Sequence, residues 1–285
     1  SHIGVPLTLL SFTSKTEIGI VEMGANHQKE IEFLCVIAQP DFGYITNFGK
    51  AHLEGFGGTE GVIKGKSEMY QFLSENNKFV FVNLDDTIQR EKTEKNLRIT
   101  FSQTDKNASV LINEIKANPF VEITYDGIKV KSNLIGLYNA NNINAAITIG
   151  KYFKVSNEEI KEAIESYIPE NNRSQMLVKN SNEIILDAYN ANPSSMEVAI
   201  KNFLQLEKEN KIAVLGDMFE LGEESFEEHK HIVSLLENEP EVKTYFVGSQ
   251  FFANKRDSEF VFFYETFEDF SNFIKMEKLQ NQLIL

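Results

Sequence analysis

The feature that most constrains this chain is an alternation that occurs twice. Short β-branched or aromatic runs are each followed by a stretch whose apolar residues recur every three or four positions. In the first half TEIGIVEM (Thr16 to Met23) reads as a strand and HQKEIEFLCVIAQ as a helix through Ile31, Leu34 and Ile37, stopped by Pro40. FGYITN (Phe42 to Asn47) reads as the next strand, TEGVIKGKSEMYQFL (Thr59 to Leu73) as a helix and KFVFVN (Lys78 to Asn83) as a third strand. A strand buried on both faces needs helices over it, so this β-α-β-α-β order predicts an α/β fold with a mostly parallel sheet.

Between about Arg98 and Leu137 the pattern changes. ASVLINEI and FVEITYDGIKVKSNL are strand-like, and Asp126-Gly127 marks a hairpin, so a small antiparallel subsheet is expected. Helices return in YNANNINAAITIGKYF and NEEIKEAIESYI, the second capped by Ser156 or Asn157. Pro169 and the polar run ENNRSQ mark a domain boundary, giving 1–168 and 169–285. From Glu183 the alternation resumes through EIILDAY, a helix from about Ser194 to Glu207, KIAVLGD, a helix around Glu224 to Leu236, TYFVG, FVFFY and a helix from Phe267 to Met276. This predicts a second α/β domain.

The 285 residues, 42% of them apolar, suffice for two cores. Lys and Arg number 28 against 42 Asp and Glu, a net charge of −14 that repels phosphate backbones, so no nucleic-acid partner is expected. The single cysteine, Cys35, excludes an internal disulfide and a multi-cysteine zinc site and fits a reducing, cytoplasmic setting. No apolar run approaches the roughly 20 residues of a membrane span, and SHIGVPLTLL has no basic stretch before it, so neither membrane insertion nor a signal peptide is read. The chain starts in mid-pattern without methionine and closes on QNQLIL, the start of a strand; a fragment with material missing at both ends is expected.

Ligands of open α/β sheets collect at the carboxyl ends of strands. Four polar sets fall there: Glu22; Asn47 with His52; Asp187 to Asn192; and Asp217 with Glu220. Glu22 and His52 together can bind a divalent cation, although imidazole is unusual for one as hard as Mg²⁺; alternatively Glu22 is a solvated acid and His52 a loop residue bonded to backbone. His229 and His231 do not share a helix face, and at least His231 reads as surface. KGKSE (Lys64 to Glu68) evokes a phosphate loop, but Gly61 stands one residue too close to Gly65 and the segment lies within a helix pattern. Asn139 and Asn142, three apart at a helix start, can cap it or bond an adenine edge. Arg173 either clamps phosphate or makes a surface pair, and YNANP either lines a site or is a turn.

Taken in order, IGVPLTLL, VEMGANHQKEI, ITNFGKAHLEGFGGTEGVIKGKSE, GLYNANNINAA, NNRSQ, DAYNANPSSM and VLGDMFELGEES resemble the Mur ligase family over nearly the whole chain. YNANP-x-S with GDM-x-ELG sets it apart from relatives that add glutamate, diaminopimelate or lysine. The resemblance implies a central ATPase domain, with its mostly parallel sheet and small antiparallel subsheet, followed by a Rossmann-like α/β domain. It implies ATP-driven joining of D-alanyl-D-alanine to UDP-N-acetylmuramoyl-tripeptide through an acyl phosphate, in peptidoglycan synthesis, by a monomer. Glu22 and His52 match the family's Mg²⁺ ligands, and Lys66 the lysine that, once carbamylated, holds a second ion with support from Glu68. Lys66, Glu22, His52 and Arg173 are then the catalytic set. Asn139, Asn142, Arg173 and Asp187 match the nucleotide side, with Tyr138 standing where histidine is often found. Asn26, Tyr189, Asn190 and Asn192 are expected at the substrates.

The family's Gly-rich Lys-Thr loop and UDP-sugar domain should precede Ser1, and its Lys-Gly-Ser-Arg stretch should follow the last strand. By itself the chain is therefore expected to be a poor ligase or none. The rival readings are a non-catalytic binding module that keeps the scaffold, and a metal-dependent hydrolase built on Glu22 and His52.

Overall fold

The computed structural model describes residues 1–50, 52–170 and 172–285; Ala51 in ITNFGKAHLEG and Asn171 in ENNRSQ lie outside the described residues. Two compact units form, one from Ser1–Ile115, Ile123–Val130 and Asn141–Glu162, the other from Lys116–Glu122, Lys131–Ala140 and Ala163–Leu285.

Six strands, β1 (Phe42–Tyr44), β2 (Phe79–Asn83), β3 (Leu97–Ser102), β4 (Val110–Ala117), β5 (Phe120–Tyr125) and β6 (Ile128–Ile135), make one sheet in sequential order. β1 to β4 run parallel. β3 and β4 overlap only through Phe101↔Val110 and Ser102↔Leu111, so the short link 103–109 suffices between parallel neighbours. The expected antiparallel region therefore begins later than Arg98: β3 belongs to the parallel part, and the chain reverses at the two-residue links 118–119 and 126–127, which are too short for a parallel crossover. Asp126 (φ 49°) and Gly127 (φ 75°) both adopt the left-handed conformation of a tight hairpin turn.

The helices here are α1 (Gly4–Leu10), α2 (Glu30–Ala38), α3 (Leu53–Phe56), α4 (Thr59–Glu75), α5 (Thr87–Lys92), α6 (Ala140–Tyr152) and α7 (Asn157–Ser166). Short α3 and α5 carry too few periodic positions to be read from sequence. Ser156 caps α7, accepting from Glu159 N while the Glu159 carboxylate accepts from Ser156 N.

Thr16–Met23 is not a strand. Val21 and Met23 turn toward the core while Ile18 (57% exposed) and Ile20 (85%) turn out, so the side chains alternate, but no described strand pairs with the segment. A strand exists only through its ladder. FGYITN likewise leaves the ladder after Tyr44, because side chains take its next carbonyls: Gln89 Nε2 donates to Ile45 O (3.1 Å) and Lys66 Nζ to Asn47 O (2.8 Å).

In the other unit β7 (Gln175–Lys179), β8 (Asn182–Leu186), β9 (Lys211–Gly216), β10 (Val242–Val247), β11 (Val261–Tyr264) and β12 (Leu283–Ile284) form a sheet ordered β11-β10-β9-β12-β8-β7. Only edge strand β7 is antiparallel among the registered pairs. QNQLIL thus ends in a strand, inserted between β8 and β9. α8 (Pro193–Gln205), α9 (Ser225–Leu236), α10 (Ser249–Phe252) and α11 (Phe267–Ile274) accompany the sheet. The carboxyl ends of β8 and β9 lie on one edge, bringing Asp187 and Asp217 to the same end. No helix among the described residues is long and apolar enough to cross a membrane.

The first core joins Leu34 and Cys35 of α2, Tyr70 and Leu73 of α4 and Val80 and Val82 of β2. Leu73 is completely buried. Leu73→Ala is expected to cost about 2–5 kcal/mol, removed contact plus residual cavity, read as a lower urea midpoint at unchanged m-value.

Candidate functional site

Two loops of the first unit carry its expected site residues. The one between Met23 and α2 is shaped by two carboxylates. Glu30 accepts from Asn26 N (2.7 Å) and His27 N (3.1 Å), and Glu68, projecting from α4, accepts from Lys29 N (2.6 Å) and Glu32 N (3.1 Å). Lys29, at the start of α2, has φ 71° and no side-chain cap of its own, so Glu68 performs that office from across the fold. Each oxygen of Glu68, the residue expected to support Lys66, thus accepts one bond from the start of α2.

The second loop, 45–58, carries Asn47 and His52. Glycines within it and just after it, at the start of α4, permit backbone-to-backbone contact. A Cβ on Gly55 would lie 2.2 Å from Asn26 O, and one on Gly61 would lie 1.8 Å from Phe56 O, which also accepts from Gln28 Nε2 at 3.3 Å. The loop bearing Asn26 is thereby held against the loop bearing His52. Glu22 is exposed just upstream, and His52 is half-buried with φ 54°. Lys66 reaches back from α4 to the Asn47 carbonyl at 2.8 Å, and burial pushes its amine below the ordinary lysine range.

Among the described residues no group of three or more His, Cys, Asp or Glu side chains is arranged to hold a metal. One carboxylate and one imidazole still fit Mg²⁺, which keeps water and substrate phosphates as most of its ligands instead of filling a protein cage. A polar cleft of about 460 Å³ opens at the carboxyl end of β2, lined by residues that include Asn83, Asp86, Gln103, Asn141 and Asn144. None of those five was singled out from sequence.

Glu68→Ala leaves two helix-start N–H groups without their acceptor and is expected to cost about 1–3 kcal/mol. Gly61→Ala would ordinarily favour a helix by about 1 kcal/mol, yet is expected to destabilise here because the carbonyl of Phe56 occupies the methyl's place. Chemical denaturation of the two variants checks both signs.

In the second unit a compact network surrounds Asp187 at the end of β8. Ser174 N donates to Asp187 Oδ1 (3.2 Å), and the Tyr138 hydroxyl contacts Ser174 Oγ and donates to Asp187 Oδ2 (3.2 Å). Burial first, then the Asp187 charge, push the Tyr138 phenol up, keeping it a neutral donor. Asn139 is buried, its amide donating to Ile135 O (2.8 Å) and Ser174 Oγ (3.4 Å), whereas Asn142 is exposed. The two asparagines thus have different surroundings. Asn190 is exposed, and the Arg173 guanidinium lies 4.0 Å from the ring centroid of Tyr189. Asn192 caps α8, its Oδ1 accepting from Ser195 N (3.0 Å) while Ser195 Oγ accepts from Asn192 N (3.3 Å), with Pro193 opening the helix. Its amide N–H₂ takes no part in the cap.

Asp217 turns inward instead of toward a cleft. It accepts from Gln250 N (3.0 Å) and Phe251 N (2.9 Å), and Gly248, at φ 131°, leaves it room. The neighbouring Met218 N donates to Nε2 of fully buried His229 at 3.0 Å. An Nε2 that accepts puts the proton on Nδ1, which donates to Ser225 O at 2.7 Å. His229 was missed as the anchor of the GDMFELG loop; the signal was its place on the α9 stripe of Ile232, Val233 and Leu236. His231 is on the surface as expected, 3.4 Å from Glu197.

Burial pushes the pKa of His229 below its ordinary value. With the folded value depressed, the unfolded chain binds more protons below about pH 6.5, so this stability is present above that pH and lost as pH falls through the folded pKa. Urea midpoints measured from about pH 7 to about pH 5 should fall more steeply for the wild type than for His229→Asn.

The two sheets, with polar loops at their strand ends, define an α/β protein of two units. A family model described as the Mur ligase middle domain matches residues 1–150, and one described as Mur ligase, glutamate ligase domain matches 172–262. The chain belongs to the Mur ligase family. It is 32% identical over 242 residues to the UDP-N-acetylmuramoyl-tripeptide–D-alanyl-D-alanine ligase of Bacillus subtilis, covering 83% of this chain and 52% of that one. To the enzyme of the same name from Buchnera aphidicola subsp. Baizongia pistaciae it is 34% identical over 247 residues, 84% of this chain and 53% of that one. The chain spans about half the length of the curated relatives it matches. Among solved structures, MurF from Acinetobacter baumannii superposes with TM-score 0.85 at 27% identity, over 99% of this chain and 64% of that one. MurF from Thermotoga maritima in complex with ADP gives TM-score 0.83 at 23% identity, over 99% and 66%.

Proposed function

We propose that the protein carrying this chain joins D-alanyl-D-alanine to UDP-N-acetylmuramoyl-tripeptide at the expense of ATP, in peptidoglycan synthesis. The observation that carries this reading is the 32% identity to the Bacillus subtilis ligase across 83% of the chain. Residues 1–168 are its central ATP-binding domain and 169–285 its ligase domain. One chain forms the site, and the need for ATP sets the reaction in the cytoplasm.

In this reading the tripeptide carboxylate attacks the γ-phosphate of ATP, giving an acyl phosphate and ADP. The amine of D-alanyl-D-alanine then attacks the acyl carbon and inorganic phosphate leaves. Mg²⁺, when bound, neutralises the crowded phosphate oxygens, and Glu22 and His52 would hold it. Burial pushes the Lys66 amine below the ordinary lysine range, which makes its neutral form more accessible; that form can add carbon dioxide and lose a proton to become an anionic carbamate suited to a second cation. Asn142 offers an amide to the adenine edge, and Asn139 fixes the helix start that presents it. Arg173 directs its planar fork at phosphate. Asp187 has accepting capacity left for ribose, since each oxygen carries more lone pairs than the single bond it makes. Asn26, Asn190 and the amide of Asn192 serve the peptide substrates.

With full-length protein, phosphate release is expected only when UDP-N-acetylmuramoyl-tripeptide, ATP, Mg²⁺ and D-alanyl-D-alanine are all present. Equal release without the dipeptide would defeat the assignment. Glu22→Ala and His52→Ala should each lower turnover by roughly a hundredfold or more, the scale on which lost transition-state charge stabilisation is felt.

A further inference from the structure

The segment 172–174 runs beside 187–189 as a continuation of the β7–β8 pairing. Ala188 N donates to Asn172 O at 2.9 Å, and Ser174 N donates to Asp187 Oδ1 at 3.2 Å. Asn172 (φ 58°) and Ser174 (φ 50°) are both left-handed, so Arg173 is bracketed by two turned residues, each tied to the strand-end segment. This aims its side chain across the ladder at Tyr189, whose ring lies 4.0 Å from the guanidinium carbon. Tyr189 is 62% exposed, and Arg173 is exposed as well.

Among the described residues no carboxylate forms an ion pair with Arg173. An exposed arginine ordinarily samples many rotamers, and ordering it on a ligand costs entropy. Stacking on an aromatic face restrains the guanidinium plane while leaving its N–H edge open, because the attraction is to the ring quadrupole and occupies no donor. An acidic partner would have consumed part of the fork.

We propose that Tyr189 is a positioning residue for Arg173: its ring is a platform that presents the guanidinium edge to the nucleotide phosphates, and it is not a wall of the dipeptide site. This rests on the reading that Arg173 serves ATP. The ring, not the hydroxyl, performs the task, so Tyr189→Phe retains it and Tyr189→Leu loses it.

The test uses full-length protein with Tyr189→Phe, Tyr189→Leu and Arg173→Ala, measuring MgADP affinity by calorimetry and KM for ATP and for D-alanyl-D-alanine separately. Tyr189→Leu is expected to weaken MgADP and raise KM for ATP roughly fivefold, the scale of an exposed cation–π contact, with KM for the dipeptide unmoved and Tyr189→Phe within about twofold of wild type. In NMR spectra the Arg173 side-chain methylene signals, shifted upfield by the ring, should stay shifted in Tyr189→Phe and return to unshifted positions in Tyr189→Leu. A raised KM for the dipeptide with MgADP affinity unchanged would overturn the inference, as would equal weakening in the Phe and Leu variants. If Arg173→Ala itself leaves MgADP affinity intact, the underlying assignment of Arg173 fails. If Arg173→Ala weakens MgADP but Tyr189→Leu does not, only the platform fails.

Discussion

The backbone N–H groups of Lys29 and Glu32 at the start of α2 face a buried carboxylate from α4, and the first unit's candidate loops are arranged around that contact. Helix starts leave donors unsatisfied, and burying one without an acceptor costs as much as losing a hydrogen bond. Glu68 resolves this by crossing from α4, and in doing so fixes where the loop 24–29 ends. Glu30 shapes the middle of that loop, and Gly55 lets its Asn26 carbonyl approach the loop of His52. The residues proposed for chemistry are held in place largely by neighbours that do none.

The second unit follows the same logic with different groups. Asp217 and neutral His229 are spent on backbone donors around the GDMFELG loop, and Asn192 on the start of α8. Asp187 is embraced by Ser174 and Tyr138 yet keeps accepting capacity. Polar residues at strand ends thus divide into those that close the loop and those that the closed loop presents. Lys66 is an intermediate case, bonded to a loop carbonyl and with its amine pushed below the ordinary lysine range by burial.

Much of the fold was legible because its signals are local. The apolar stripe of α4, the β-branched runs of β2, β9 and β10, Asp126-Gly127 at the hairpin and Ser156 ahead of Glu159 each act over a few residues. Thr16–Met23 was misread because alternation reports which side chains are buried and is silent about whether a backbone partner exists. The shortening of FGYITN came from Gln89 and Lys66, 44 and 19 residues beyond the carbonyls they bind. For the site, the strand-end rule singled out Glu22, His52, Asp187 and Asp217 as candidates, although 16–23 is not a strand and β1 ends at Tyr44, and it carried no information on which way each side chain turns.

By itself the amino-acid sequence determined the α/β class, the alternation of elements and the family, since these depend on periodicity, turn chemistry and ordered motifs. Only the tertiary structure decided that Glu68 caps α2, that Asp217 and His229 serve a loop, and that Arg173 lies on Tyr189. Each of those outcomes depends on a donor and an acceptor, or a cation and a ring, brought together from distant or turned backbone. A hydrogen bond depends on distance and direction in space, and neither is written in the spacing of residues along a chain.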